Sequence, residues 1–362
     1  MANQVVYGFH TLQQRFGEPA SAVGDALINT AITQAIQEHT RQLDQFSAIF
    51  LRRGITDPTR SFRVGTVTRN QPLDETGRPL PIRGGARYSV GFPLIMSGAA
   101  IGNTWLEAQN RRVEDVNRIM ADILDGDRSW VFDHIMAALF NNAAYNFDDQ
   151  EFGTLSVKPL ANGDSQVYQV PSGAFSGSTD NHLLAQANAI ATGADNPFPA
   201  IYQELAEHPE NGNGGAGRII AFIPSNLKAA VQGLATFYRP FNADLTPGNS
   251  QTILSGTLGV NVPGTVLGME DSGIWIVEWP RLPSNYIVAV ATAGEPAIGE
   301  RVHPNANLRG FFEMDTNEDF PWYQRNFARF NGYGAWNRVA SVVMRIGNAS
   351  YAVPTGYASP MP

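Results

Sequence analysis

The side chains able to do chemistry in this chain are six histidines, two knots of acids, one glycine run and a serine-rich stretch. His10, His39, His134, His182, His208 and His303 are scattered, with no HExxH and no i, i+4 couple. No helix face therefore brings two imidazoles together, and no metal site is expected. His134 falls beside the apolar face of a helical stretch and reads as a satisfied core residue, not a base. Asp148, Asp149 and Glu151, and again Asp315, Glu318 and Asp319, could form a calcium site or a carboxylate pair. Neither group has EF-hand spacing, so both read as polar loop punctuation. The GNGGAG at 212–217 precedes an apolar run, where a dinucleotide fingerprint would have to follow a strand and open a helix. It reads as a surface linker. The serines of SGAFSGS lack the spacing of a nucleophile elbow, and Asn348-Ala-Ser350 is a glycosylation sequon without a secretory signal. There is no cysteine, which removes disulfides, thiol nucleophiles, iron-sulfur clusters and cysteine-ligated zinc together. The expectation is no enzyme: no catalytic residue, no cofactor and no metal.

What remains is a composition suited to a folded, interface-making chain. The 362 residues are 43% hydrophobic and only 16% charged, with 35 glycines and 23 prolines. Disorder and an all-helical fold are both excluded, because the charge is too low for the first and the turn residues too many for the second. A net charge of -8 argues against a protein whose task is gripping phosphate backbones. Lys158 and Lys228 are the only lysines, so 23 arginines carry the rest of the positive charge. Arginine suits planar, partly buried contacts between surfaces. No signal peptide and no run of about 18 apolar residues is visible, so no membrane is expected and the chain reads as soluble and made in a cytoplasm.

The elements can be placed by period. Residues 1–22 have no clear period and read as an extended arm. From Val23 to Phe50 the apolar positions Val23, Leu27, Ala31, Ile32, Ala35, Ile36, Leu43, Phe46 and Phe50 recur at helical spacing. Residues 61–68 alternate as a strand does, and 86–96 read as its partner. The polar stretch between them carries Arg69, Arg78 and Arg83, with Arg87 at its far side, and reads as a long two-stranded finger. Such a hairpin is not stable alone in water and must rest on another surface, which makes these arginines candidates for contact between subunits. A second long helix is expected over 113–142, acidic in its first turn and interrupted by Gly126, a candidate bending point. Beyond it come a polar loop region at 161–182, a helix near 182–207, a strand at Ile219–Ile223 and a helix from Pro224 to about Phe237. Strands follow near 263–268, 274–279 and 285–292. The chain closes with the aromatic stretch Trp322–Asn331 and an apolar β run Val339–Ile346.

This order of parts resembles the major capsid protein of tailed phages, the Hong Kong 97 fold, an α+β fold with arm, extended loop, peripheral domain and axial domain. RIIAFIPSNLKAAVQGL at 218–234 is similar to that family's axial strand, turn and helix. FARFNGYGAWNRVASVVMRIG is similar to its closing segment, with Arg329, Gly332, Gly334 and the run from Val339 as the matching features. The resemblance implies residues 1–60 as arm and helix, 61–100 as extended loop, 101–180 as peripheral domain with the spine helix at 113–142, 181–310 as axial domain, and 311–362 as a return to the peripheral domain with a tail. It implies a structural subunit of an icosahedral phage head, assembled in the bacterial host cytoplasm and ending in the virion. The partners it implies are the chain itself in hexamers and pentamers, a portal protein, a separate scaffolding protein, a cement or decoration protein, and packaged double-stranded DNA by weak, non-specific contact. Residues 61–100 contain no lysine, so the family's lysine-to-asparagine crosslink through this loop is not expected. An encapsulin-type nanocompartment shell is the alternative within the fold, and a carboxylate-dependent hydrolase the alternative outside it.

Overall fold

The two expected long helices organise the computed structural model, which describes residues 4–63, 73, 75, 77, 87–168, 178–208, 218–238, 262–317 and 322–361. The first, the arm helix, spans Asp25–Ser47 and buries Ile28, Ala31, Ile32, Ala35, His39, Leu43 and Ser47. Leu27, expected in that stripe, is exposed instead. The helix starts at Gly24, whose φ of 95° breaks it from a separate turn at Ala20–Val23 and shifts the inward face by one residue. The second, the spine helix, spans Val113–Phe140 and runs through Gly126 without a break in its turns. Its first half buries a single stripe, and from Val131 onward it is buried on nearly every side.

The expected extended arm is not extended. Phe9–Arg15 forms a 3-10 helix, and Val6, Phe9, Leu12 and Val23 pack with Ile28, Ile32, Val113, Met120 and Phe327 in one apolar cluster. Asn117 on the spine helix locks the segment by accepting from the Val6 N–H at 2.8 Å and donating to the Gln4 carbonyl at 3.0 Å. Period analysis misses this because a 3-10 turn with three scattered apolar residues has no 3.6 repeat.

Two large sheets carry most of the rest among the described residues, beside three two-stranded ones. In the first, the 14-residue strand Trp322–Ala335 pairs with Ile95–Thr104 along one side and with Phe311–Asn317 and then Ile298–Val302 along its length, and Leu51–Ile55 adds to the last in parallel. Close approach sets the glycines here: a Cβ on Gly332 would lie 2.0 Å from the Pro93 carbonyl oxygen. The second sheet has seven strands in the order Phe237–Tyr238, Thr265–Glu270, Ile274–Glu278, Ile219–Ile223, Tyr286–Ala291, Ser341–Ile346, Leu183–Gln186. Its inner strands are buried throughout, with the continuous apolar runs that two covered faces require.

Strands far apart in sequence share each sheet: Ile298–Val302 belongs to the first and Ser341–Ile346 is an inner strand of the second. The expected helix near 182–207 is a second correction. Ser178–Asn181 and Leu183–Gln186 are strands, and the helix is only Phe198–Ala206. Here LLAQ pairs with Ser341–Ile346 in parallel, so tertiary pairing overrides the helix preference of Leu, Ala and Gln. The helix after Pro224 is likewise shorter, a 3-10 turn Ser225–Leu227 followed by Lys228–Gln232.

Candidate functional site

The base of the expected finger is an antiparallel pair, Thr59–Arg63 with Arg87–Gly91, closing at the register pair Arg63 and Arg87. It rests on its own subunit: Phe62 stacks on Tyr88 and meets the Trp336 ring edge-on, and the Arg60 guanidinium lies 3.5 Å from the Trp336 ring centre. Arg87 is exposed at this mouth. Arg69, Arg78 and Arg83 lie outside the described residues, as does the glycine run 212–217.

Next to the finger runs an unguarded edge. Ile95–Thr104 is ten residues long, carries no charge, and among the described residues pairs with one strand only. Met96 on it, and Trp105 and Leu106 on the short helix that follows, are exposed large apolar side chains. A groove between this strand and the spine helix is lined by Ser97–Ala100, Ile123, Gly126 and Trp130. An added Cβ on Gly126 meets nothing within 4 Å.

Not all arginines serve surfaces. Arg301, Arg329 and Arg338 are buried staples inside the subunit, because a guanidinium can satisfy several acceptors in one plane. Arg338 donates to the Pro159 and Leu160 carbonyls at 2.6 and 3.1 Å. Arg301 reaches the Phe92 carbonyl and Asp149. Arg329 on the long strand grips Asp127 on the spine helix through both carboxylate oxygens, at 2.7 and 2.6 Å, and His39 on the arm helix donates to the same carboxylate at 2.7 Å. Burial pushes the Asp127 carboxyl up, and the hydrogen bonds from His39 and Arg329 outweigh it and hold it below the usual range.

Asp148 and Asp149 of the first acid cluster are taken up in structural hydrogen bonds. They cap the hairpin Tyr145–Asp149 and Gly153–Val157: Asp149 accepts from Arg301 and from the Glu151 and Phe152 N–H groups, and Asp148 accepts from Thr154. Asp315 is exposed on a strand, while Glu318 and Asp319 lie outside the described residues. His134 is core, as expected. It stacks on Trp130 at 3.8 Å and donates from Nδ1 to the Trp130 carbonyl, and burial lowers its pKa.

Two of the histidines do meet, against expectation. His182 and His208, 26 residues apart, converge with Asp180 in a fully buried knot at the end of the helix Phe198–Ala206. Each Nε2 lies 2.7 Å from Asp180 Oδ2, and the two Nε2 atoms are 3.1 Å apart. Glu204 and Glu207 gather with Asp180 on its other side, and Glu207 Oε1 lies 3.8 Å from His208 Nε2. Burial, and then the Asp180 charge, raise both glutamates, Glu204 to about 7. No local spacing announces this group, because one histidine lies between two strands and the other follows a helix.

No sequence family matches the chain, and no curated protein does. Solved structures do. The structure described as Mycobacterium phage Patience superposes with a TM-score of 0.65 at 20% identity, over 90% of this chain and 90% of that one. The capsid of Ralstonia phage GP4 superposes with a TM-score of 0.51 at 13% identity, over 88% and 92%. The chain has the Hong Kong 97 capsid fold. Two large sheets and the long helix Val113–Phe140 make up most of this fold among the described residues. The knot of Asp180, His182 and His208 ties the edge strand of the seven-stranded sheet to the helix Phe198–Ala206.

Proposed function

We propose that the chain is a structural subunit that assembles with copies of itself, as hexamers and pentamers, into the icosahedral head of a tailed double-stranded DNA phage. The observation that carries this reading is the fold shared with the Patience phage structure over 90% of both chains. Three local features support it. The uncharged edge Ile95–Thr104 lacks the lysines, prolines and bulges that keep monomeric sheets from pairing with another chain. Met96, Trp105 and Leu106 lie beside it, exposed. Arg87, on the closing rung of the finger base, is exposed.

In this reading the finger lies across a neighbouring subunit and Arg69, Arg78, Arg83 and Arg87 make contacts there. A portal, a separate scaffolding protein and a cement protein are the further partners, and the packaged DNA is held weakly because the chain is acidic. The mature product is the virion capsid. No helix among the described residues is long and apolar enough to cross a membrane. The test is sedimentation and negative-stain microscopy of the chain expressed alone and with its neighbouring genes. Closed shells or capsomer rings are expected, and a monomer under every condition would overturn the reading.

Gly126 gives a finer test. Its Cβ position is open, so Gly126→Ala is expected to raise subunit stability by about 1 kcal/mol through helix propensity alone, read from denaturant unfolding. If Gly126 is the point where the spine helix bends during shell expansion, the same variant assembles compact shells that fail to expand. Normal expansion removes that role.

A further inference from the structure

We propose that Asp180, His182 and His208 bind a divalent transition-metal ion of the zinc class, with Glu204 or Glu207 as the fourth ligand. The argument starts from a tautomer. His182 Nδ1 lies 2.9 Å from the Ser341 carbonyl oxygen, which can only accept, so Nδ1 carries a proton. In the neutral ring Nε2 is then a bare lone pair, and it points at a carboxylate oxygen and at the second imidazole. These three atoms converge in a dry interior, an arrangement that a proton on His208 Nε2 or a metal ion between them holds together, and titration with metal separates the two.

The spacing fits such a cation. The three atoms make a triangle with edges of 2.7, 2.7 and 3.1 Å. A tetrahedral ion with ligands about 2.0 Å away has ligand-to-ligand edges of roughly 3.3 Å, so a small outward movement seats it above the triangle. The hydrogen bond from Nδ1 to a backbone carbonyl is the outer contact that fixes the tautomer of a metal-binding histidine.

Charge points the same way. Three carboxylates gather beside two imidazoles, with Asp180 common to both groups, and among the described residues no arginine or lysine forms an ion pair with any of the three. The glutamates stand at the C-terminal end of the helix Phe198–Ala206, where the backbone adds negative potential. Two imidazole nitrogens select a zinc-class ion over calcium or magnesium, which prefer oxygen ligands throughout. The ion would clip the helix end to the edge strand of the seven-stranded sheet, whether or not the chain assembles.

The experiment is calorimetric titration of the full-length chain after chelator dialysis, using Zn2+, Co2+ and Mg2+ as probes, with Tm measured in parallel. About one Zn2+ per chain is expected, with a rise in Tm, a visible absorption band of four-coordinate Co2+, and no response to Mg2+. In His208→Gln the Zn2+ affinity is expected to fall by more than the roughly 10–100-fold that loss of an outer-shell partner costs. His10→Gln leaves it unchanged. Zn2+ uptake that is equal in wild type and His208→Gln overturns the proposal. If that variant does not fold, the wild-type arm decides alone: a Tm that neither chelator nor Zn2+ moves overturns it too.

Discussion

Replacing Asp127 with asparagine is expected to destabilise the subunit by about 3–5 kcal/mol, because it leaves the Arg329 guanidinium charged and buried without its counter-charge. Both side chains are 3% exposed, so solvent cannot compensate. The two parallel hydrogen bonds from Arg329 and the third from His39 join the spine helix, the long strand and the arm helix at one carboxylate. Denaturant unfolding checks this, with Asp125→Asn as the control. Asp125 pairs with Arg128 at the surface, both well exposed, and its loss is expected to cost no more than about 0.5 kcal/mol. The pH dependence has a definite sign. The Asp127 pKa is lowered in the folded state, so its stabilisation is present in full above the ordinary carboxylate value of about 3.9 and is lost as pH falls through the lower folded value. Wild type and Asp127→Asn should therefore converge in stability as acid is added. A constant gap down to the acid limit would mean that the carboxylate charge is not the source of the effect.

Replacing residues 64–86 with Asn-Gly is expected to abolish shell formation while leaving the subunit folded. The base strands Thr59–Arg63 and Arg87–Gly91 already face each other in register, and Asn-Gly supplies the tight turn that joins such a pair. The contacts that hold the base, Phe62 on Tyr88 and Arg60 on Trp336, remain. Far-UV circular dichroism and Tm should thus stay near wild type, and sedimentation should show capsomers or monomers in place of shells. If 64–86 is the segment that reaches a neighbour, its removal takes that contact away. Shells that form normally without it would exclude the finger as an assembly element.

The helices show how far periodicity reaches. The spine helix was legible to within two residues at its far end, because apolar positions every three to four residues leave one packing solution. Its buried stripe nevertheless contains Asn117 and Asp127, which an apolar count passes over, and these two polar residues fasten the N-terminal segment and the long strand. The strands of the second sheet at 219–223, 274–278 and 286–291 were also legible, since continuous apolar runs of that length between turn signals read as strands. Leu183–Gln186 was not, because its strand state depends on Ser341–Ile346, about 160 residues away.

Local sequence was enough to establish the absence of cysteine chemistry and the two long helices and, through resemblance, the capsid fold. These follow from neighbouring residues: spacing, turn chemistry and composition act over one or two turns of chain. The tertiary structure alone decided which polar groups meet. It made Arg301, Arg329 and Arg338 buried staples, folded the N-terminal segment onto the spine helix, and brought His182, His208 and Asp180 to within hydrogen-bond distance. Hydrogen bonds and ion pairs depend on distances of about 3 Å between side chains, and the chain sets those distances only after strands far apart in sequence have paired.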